Sequence, residues 1–471
     1  MEKIPENTLK TAEPRQNKMG VMPVGKLLFN MSIPMVISML VQALYNVVDS
    51  YFVAKFSNDA LNAVSLAYPI QMLMIAVGVG TSVGMNSYIS RKLGAGEHEN
   101  ANKGANNGIF LLICSALVFA ALGFAIRPFF RLFSDDEALV SLGVDYLSIC
   151  MWFSMGVFVQ LGCERILQSM GKTSLSMITQ LVGAVINIIL DPLLIFGLGP
   201  FPALGIRGAA IATVIGQWIG MIAALLLILG KDHEVTLSFR HFRPCKETIL
   251  DIYRVGLPSI IMQAITSVMI SGMNMILSRV LADVGGKGAT SIVGVYFKVQ
   301  SRIFMPLFGV TNASMSILAY NFGAGNRKRL EKAWKLTLVT AVCIMAVGTL
   351  LFQLFPRQII GLFDHDGSIT SGGAAAFRII SLSFILAAAS ITNSVTFGAL
   401  GHGVASMIMS LIRQLCVLLP AALILALVFH RVESVWWSFL IAEFAALTYS
   451  FLTLMKIRRH EIAPLPDGAP V

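Results

Sequence analysis

The chain has 471 residues, of which 56% are apolar and only 13% charged, with a formal net charge of +10. Soluble proteins carry about 25% charged residues, and a chain with half that share cannot solvate its own surface. A cytosolic enzyme, a secreted disulfide scaffold and a disordered tail protein are therefore excluded. Long unbroken apolar runs also exclude a transmembrane barrel, whose strands alternate. The expectation is an all-α polytopic membrane protein in contact with lipid. Its excess of Lys and Arg is read as the positive-inside bias of cytoplasmic loops, not as a nucleic-acid surface. Cys114, Cys150, Cys163, Cys245, Cys343 and Cys416 form no CxxC pair, and most lie within apolar runs. They read as packing thiols, with neither a disulfide framework nor a zinc site.

Taken in chain order, residues 1–26 are polar and lack the apolar stretch of a cleavable signal, so they are expected to form a cytoplasmic tail. An apolar run of about 20 residues spans the hydrocarbon core. Twelve such runs follow, at 27–53, 60–90, 105–126, 141–163, 174–198, 208–229, 252–280, 288–318, 334–355, 374–397, 404–429 and 434–455. With the N-terminus inside, the inner segments hold 21 Lys and Arg and the outer ones 8. That asymmetry favours twelve spans with both termini in the cytoplasm.

The second half repeats the first. "SIPMVISMLVQ" (32–42) matches "GLPSIIMQAIT" (256–266), and "KLGAGEHENANKG" (92–104) matches "NFGAGNRKRLEKA" (321–333). "RLFSDDEALVSLG" (131–143) answers "GLFDHDGSITSGG" (361–373), and "LQSMGKTSLSMITQ" (167–180) answers "FGALGHGVASMIMS" (397–410). Six spans per repeat is even, so the repeats are parallel and related by a pseudo-two-fold along the membrane normal. The expected organisation is a tail (1–26), a six-helix lobe (27–229), a basic linker (230–251), a second six-helix lobe (252–455) and a tail (456–471). Such transporters bind substrate between their halves and rock to alternate access.

A charge at bilayer depth costs about 2.5–3.5 kcal/mol on insertion scales, so each one asks for a reason. Four acids lie inside or near the ends of the spans: Asp49, Glu164, Asp191 and Glu443. Gln42, Tyr45, Asn46 and Asp49 are spaced to share one face of the first span. A helix–helix hydrogen-bond seam is the structural alternative, but a seam needs amides and not a carboxylate. The fifth span adds Gln180, Asn187 and Asp191, and the sixth adds Thr213 and Gln217. Asp49, Asn187, Asp191 and Thr213 together would offer two carboxylates and neutral oxygens, suited to Na+ or to a shared proton. Two neighbouring carboxylates out of water cannot both ionise comfortably, so one is expected to hold a proton.

The second half differs in kind, with Lys298, Arg302, Arg378 and Arg413 in spans 7–11 and no deep acid there. Arg302 and Arg413 are expected to pair with carbonyls or with Glu443, or to face the cavity. The 24 Met and 29 Phe suit a surface that repacks around varied ligands. Gly78, Gly80 and Gly84 lie mid-span with no preceding strand, which favours close helix packing over a nucleotide loop. There is no Walker motif, so no ATP site or other cofactor is expected.

"VQALYNVVDSYFVAKFSNDALNAVSLAYP" (41–69), "INIILDPLLIFGLG" (186–199), "IRGAAIATVIGQ" (206–217) and "YFKVQSRIFMPLFG" (296–309) resemble the MATE (multidrug and toxic compound extrusion) family, and within it the MepA-like bacterial branch. The resemblance covers residues 20–460. It implies two six-helix lobes around a V-shaped cavity, and export of small amphipathic, often cationic, organic compounds in exchange for H+ or Na+. It also implies that Asp49 is the first-span coupling carboxylate and that Tyr45 lines the same cavity. Asn187 and Asp191 become the fifth-span coupling pair, and Thr213 the sixth-span hydroxyl. Some branches place an essential Glu in span seven; here that span offers Gln263 and Asn274 and no acid. The alternatives are a lipid-linked glycan flippase of the same superfamily, an intramembrane enzyme, and a non-transporting receptor or scaffold. An enzyme is disfavoured by the absence of a paired nucleophile and base, and a receptor by the two-lobe repeat.

Overall fold

A computed structural model describes residues 17–132, 135–230, 233–240, 242–363 and 370–467. Residues 1–16 and 468–471 of the expected tails lie outside it, as do 231, 232 and 241 of the linker and residues 133, 134 and 364–369 of one repeat match. Among the described residues, ten helices are long and apolar enough to cross a membrane, and two bent helix pairs pass the same test together. They are numbered here as spans. The first lobe holds α1 (Val24–Phe56), α2 (Asn58–Gly94), α3 (His98–Leu122), α4 (Glu137–Trp152 and Met155–Ser169), α5 (Thr173–Phe196) and α6 (Ile206–Leu229). The second holds α7 (Lys246–Met275), α8 (Gly286–Gly323), α9 (Arg327–Leu354), α10 (Thr370–Ser381 and Phe384–Leu400), α11 (Gly403–Phe429) and α12 (Trp437–Ile457). Within α11, Ile412–Leu418 is a π-helical stretch, and a second one, Ile276–Val280, continues α7.

The repeat is visible in the backbone. The fourth helix of each lobe is broken, with bends of 47° in α4 and 48° in α10. Neighbouring side chains satisfy carbonyls freed at each break: Trp218 Nε1 donates to Phe153 O at 3.0 Å, and Thr349 Oγ1 to Ser381 O at 3.1 Å. The "GAG" turns end α2 and α8 with Gly96 and Gly325 at φ of +75° and +67°. Gly171 and Gly401 take the same left-handed conformation after α4 and α10, where a side chain would be strained.

Helices extend beyond the apolar runs. α7 begins at Lys246 and not at 252, with Glu247 in a first turn whose free N–H groups favour an acid. The linker therefore shortens, and its extended backbone is held along α3 by a row of amides. Thr236 N donates to Asn102 Oδ1 at 2.8 Å, Ser238 N to Asn106 Oδ1 at 3.1 Å and Cys245 N to Asn107 Oδ1 at 2.9 Å.

Arg91, Lys92, Lys103, Lys246, Arg327, Lys328 and Arg458 cluster at one end of the bundle, the basic end. The lobes meet there. A Cβ on Gly84 would overlap the Ile252 carbonyl oxygen, and a Cβ on Gly80 would overlap the Ile260 side chain, so α2 and α7 touch through backbone. Gly78 instead faces Leu161 and Phe158 within its own lobe. Ser87 Oγ donates to Gly398 O at 2.7 Å, Ser316 Oγ to Asn86 Oδ1 at 3.1 Å, and Arg329 Nη2 to Met22 O at 2.7 Å. Toward the other end the same faces carry exposed residues, Leu40 and Val47 on α1, Leu73 on α2, Gln263 on α7 and Arg302 on α8, so the lobes part and leave a cleft between them.

Candidate functional site

The site forms inside the first lobe, where α1, α5 and α6 converge. Gly183 and Gly216 let the backbones of α5 and α6 touch, since a Cβ on either would press on the other's carbonyl oxygen. That approach brings Thr213 beside Asn187. The Asn187 amide is oriented to donate to Asp191 Oδ2 at 3.1 Å and to accept from Thr213 N at 3.1 Å. Asn187, Asp191 and Thr213 are all buried.

α1 completes the site from one side. Around Asp49 most of its circumference is exposed, and the covered sector carries Val41, Tyr45, Asp49 and Val53. The Tyr45 hydroxyl lies beside Thr213, and both Tyr45 and Asp191 are within electrostatic reach of Asp49. Asp49 Oδ1 is buried with no hydrogen-bond partner among the described residues. A buried acceptor without a donor is costly, so this atom is poised for a proton or a cation. Among the described residues no three or more His, Cys, Asp or Glu converge as a metal site. An ion here would be held by two carboxylates with amide and hydroxyl oxygens.

The remaining expected residues distribute as follows. Gln42 and Asn46 are exposed on the flank of α1, and Gln217 is half-buried on α6. Gln180 belongs to a different cluster: its Nε2 donates to Glu164 Oε2 at 2.6 Å, alongside Gln160 Nε2 to Oε1 at 3.0 Å. In the second lobe Gln263 is exposed, and Asn274 Oδ1 is buried without a hydrogen-bond partner among the described residues. Arg413 pairs with Glu443 at 3.5 Å, and Ser390 Oγ donates to the same carboxylate at 3.0 Å. Arg302 is exposed, with Nη1 donating to the Lys298 carbonyl oxygen at 2.7 Å.

Three neighbours of the site escape a reading by span. Tyr146 and Cys150 sit one turn apart on α4 and reach Asp49 electrostatically, and Gln71 of α2 donates to the Tyr146 hydroxyl at 3.3 Å. The spacing of Tyr146 and Cys150 was the available signal, but neither residue is charged. Arg165, next to Glu164 on α4, carries no such signal in its spacing, yet its Nη1 donates to Asn312 Oδ1 of α8 at 3.3 Å and so bridges the lobes.

Twelve apolar spans in two repeated lobes, with Glu164 and Asp191 buried in the first lobe, Glu443 buried in the second and a cleft between the two, define a multi-pass membrane transporter. The MatE family model matches twice, over residues 34–193 and 260–423, one match per lobe. The chain belongs to the MatE family. It is 26% identical over 438 residues to the multidrug export protein MepA of Staphylococcus saprophyticus, covering 92% of this chain and 94% of that one. It is 24% identical over 405 residues to an FAD transporter of Shewanella oneidensis, covering 85% and 88%. Among solved structures it superposes with a TM-score of 0.87 and 26% identity on a MOP-superfamily transporter from Pyrococcus furiosus, covering 96% and 99%. That protein is described as having a binding pocket of reversed polarity that suggests a different function. A multidrug-resistance MATE transporter in an outward-facing conformation matches with a TM-score of 0.86 and 26% identity, covering 97% and 99%.

Proposed function

We propose that the chain is a secondary active antiporter that exports amphipathic organic compounds across a bacterial inner membrane in exchange for H+ or Na+. The observation that carries this reading is the unpartnered, buried Asp49 Oδ1 beside Asp191, Asn187, Thr213 and Tyr45. The similarity to multidrug export proteins supports the cargo class. The positive-inside bias makes the basic end cytoplasmic, so the lobes are closed inward and the cleft opens outward. In this state the counter-ion reaches the Asp49–Asp191 pair while cargo leaves. Neutralising the carboxylates removes their mutual repulsion and lets α1 pack differently against α5 and α6. Because α1 also forms a wall of the cleft, that change alters cargo affinity. Exchange requires the ion and the cargo to differ in affinity for the two states, since equal affinity shifts nothing.

The test is efflux of fluorescent dyes, anionic fluorescein and cationic ethidium in parallel, from a pump-deficient bacterium expressing the chain, followed for whichever dye the wild-type protein exports. Asp49→Asn and Asp191→Asn should each abolish or sharply reduce efflux at unchanged membrane expression. Undiminished efflux by both variants would contradict the coupling assignment.

A further inference from the structure

The helices that meet across the lobes reveal which of their faces line the cleft. At the basic end Val36 of α1 packs on Gly309 of α8, and Gly80 and Gly84 of α2 pack on Ile260 and Ile252 of α7. Residues three, four and seven apart share a helix face, so each contact face can be followed into the half where the lobes have parted. From Gly256 and Ile260, α7 continues through Gln263, Ser267 and Asn274. From Gly309, α8 runs back to Arg302 and Lys298. From Val36, α1 continues through Leu40, Val47 and Tyr51, and from Gly80, α2 runs back to Leu73. On α7 a separate exposed stripe of Leu257, Ile261, Val268 and Met275 takes the adjacent face, where lipid would lie. The cleft face and the lipid face are therefore distinct.

The two walls differ chemically. Leu40, Val47, Tyr51 and Leu73 make the first lobe's wall apolar, and each is about half exposed. The second lobe's wall is polar, with Lys298 and Arg302 one turn apart and both exposed. Neither has an acidic partner among the described residues. Arg302 gives one nitrogen to the Lys298 carbonyl, and the rest of its fork is free for a ligand. Among the described residues, no carboxylate on these four faces compensates them. Asp49 turns away from the cleft face of α1, Glu443 is held by Arg413, and Asp59 lies in the first turn of α2 at the mouth.

We infer that the cleft selects amphipathic organic anions. The apolar body rests on the first lobe's wall, and a carboxylate or phosphate is taken by Arg302 and Lys298. A guanidinium meets either group through two parallel N–H···O bonds, and the neighbouring ammonium adds a flexible point charge. An organic cation in the same position meets two uncompensated positive charges. This inference rests on the export reading and fixes the charge of what is carried.

Fluorescein and rhodamine 123 share a ring system but are an anion and a cation at pH 8, so they isolate charge. Equilibrium binding of each to the full-length protein in detergent, read by fluorescence anisotropy, should favour fluorescein by about tenfold or more. The double variant K298Q/R302Q should lose that preference, weakening fluorescein and tightening rhodamine 123. Arg302→Lys, which keeps the charge and loses the fork, should weaken fluorescein by less and keep the preference. Wild-type protein that favours rhodamine 123 or binds neither dye overturns the inference, as does a double variant that weakens both dyes equally. Gradient-driven movement of the dyes in sealed vesicles is a separate measurement. Its absence with the binding preference intact counts against export and not against anion selection.

Discussion

Arg165 Nη1 of α4 donates to Asn312 Oδ1 of α8 at 3.3 Å, tying the first lobe to the second. The same nitrogen also donates to Gln168 Oε1, at 3.0 Å. The bond lies on the closed side of the cleft, so it exists only while the basic end is shut. A hydrogen bond to a charged group contributes about 1.5–3 kcal/mol. Asn312→Ala should therefore shift the conformational equilibrium toward basic-end opening by roughly tenfold or more. In a background whose six native cysteines are replaced, labelling of a Ser87→Cys reporter by a membrane-impermeant maleimide in inside-out vesicles reads this, because Ser87 is buried in the closed contact. An unchanged labelling rate would mean that the bond does not hold the closure.

Gly94 and Gly323 make a reciprocal contact at the same end. A Cβ on Gly94 would overlap the carbonyl oxygen of Tyr320, and a Cβ on Gly323 that of Arg91. Nothing flexible can yield there. Gly94→Ala and Gly323→Ala are each expected to fold and insert but to open the basic end, raising Ser87→Cys labelling and abolishing transport. Wild-type transport by either variant would show that this approach is not required.

Much of this was legible in the sequence because a membrane leaves few options. Apolar runs had to be helices, and the matched turns around Gly96 and Gly325 fixed the parallel repeat. The acids stood out because each is costly in lipid. Partners across helices were harder to see. Spacing placed Gln180 with Asn187 and Asp191, yet in the fold it serves Glu164, because a 24-residue helix presents its two ends to different neighbours. The four-residue steps on α1 did put Tyr45 and Asp49 on one face. They could not say that Gln42 and Asn46, on the same stripe, fall outside the sector covered by α5 and α6. The breaks in α4 and α10 carry no proline at the bend, so only packing reveals them.

The Glu443–Arg413 pair carries a stability prediction. Glu443 is buried and accepts from Ser390 as well as Arg413. Removing one member of a buried pair leaves an uncompensated charge and costs about 3–5 kcal/mol. Glu443→Ala should lower Tm in detergent markedly. Replacing both, as in E443L/R413M, should restore much of the loss, since apolar pairs of similar volume often substitute without penalty. A double variant no more stable than E443A would indicate that the pair also organises the π-helical stretch Ile412–Leu418.

The central claim is that the exchanged ion acts at Asp49 and Asp191. Dye transport in sealed proteoliposomes, with an imposed pH gradient or an imposed Na+ gradient as the only driving force, tests it most directly. Wild-type protein should drive accumulation with one of the two gradients, and Asp49→Asn and Asp191→Asn should each lose the response to it. Accumulation by both variants at the wild-type rate under the same gradient would contradict the account.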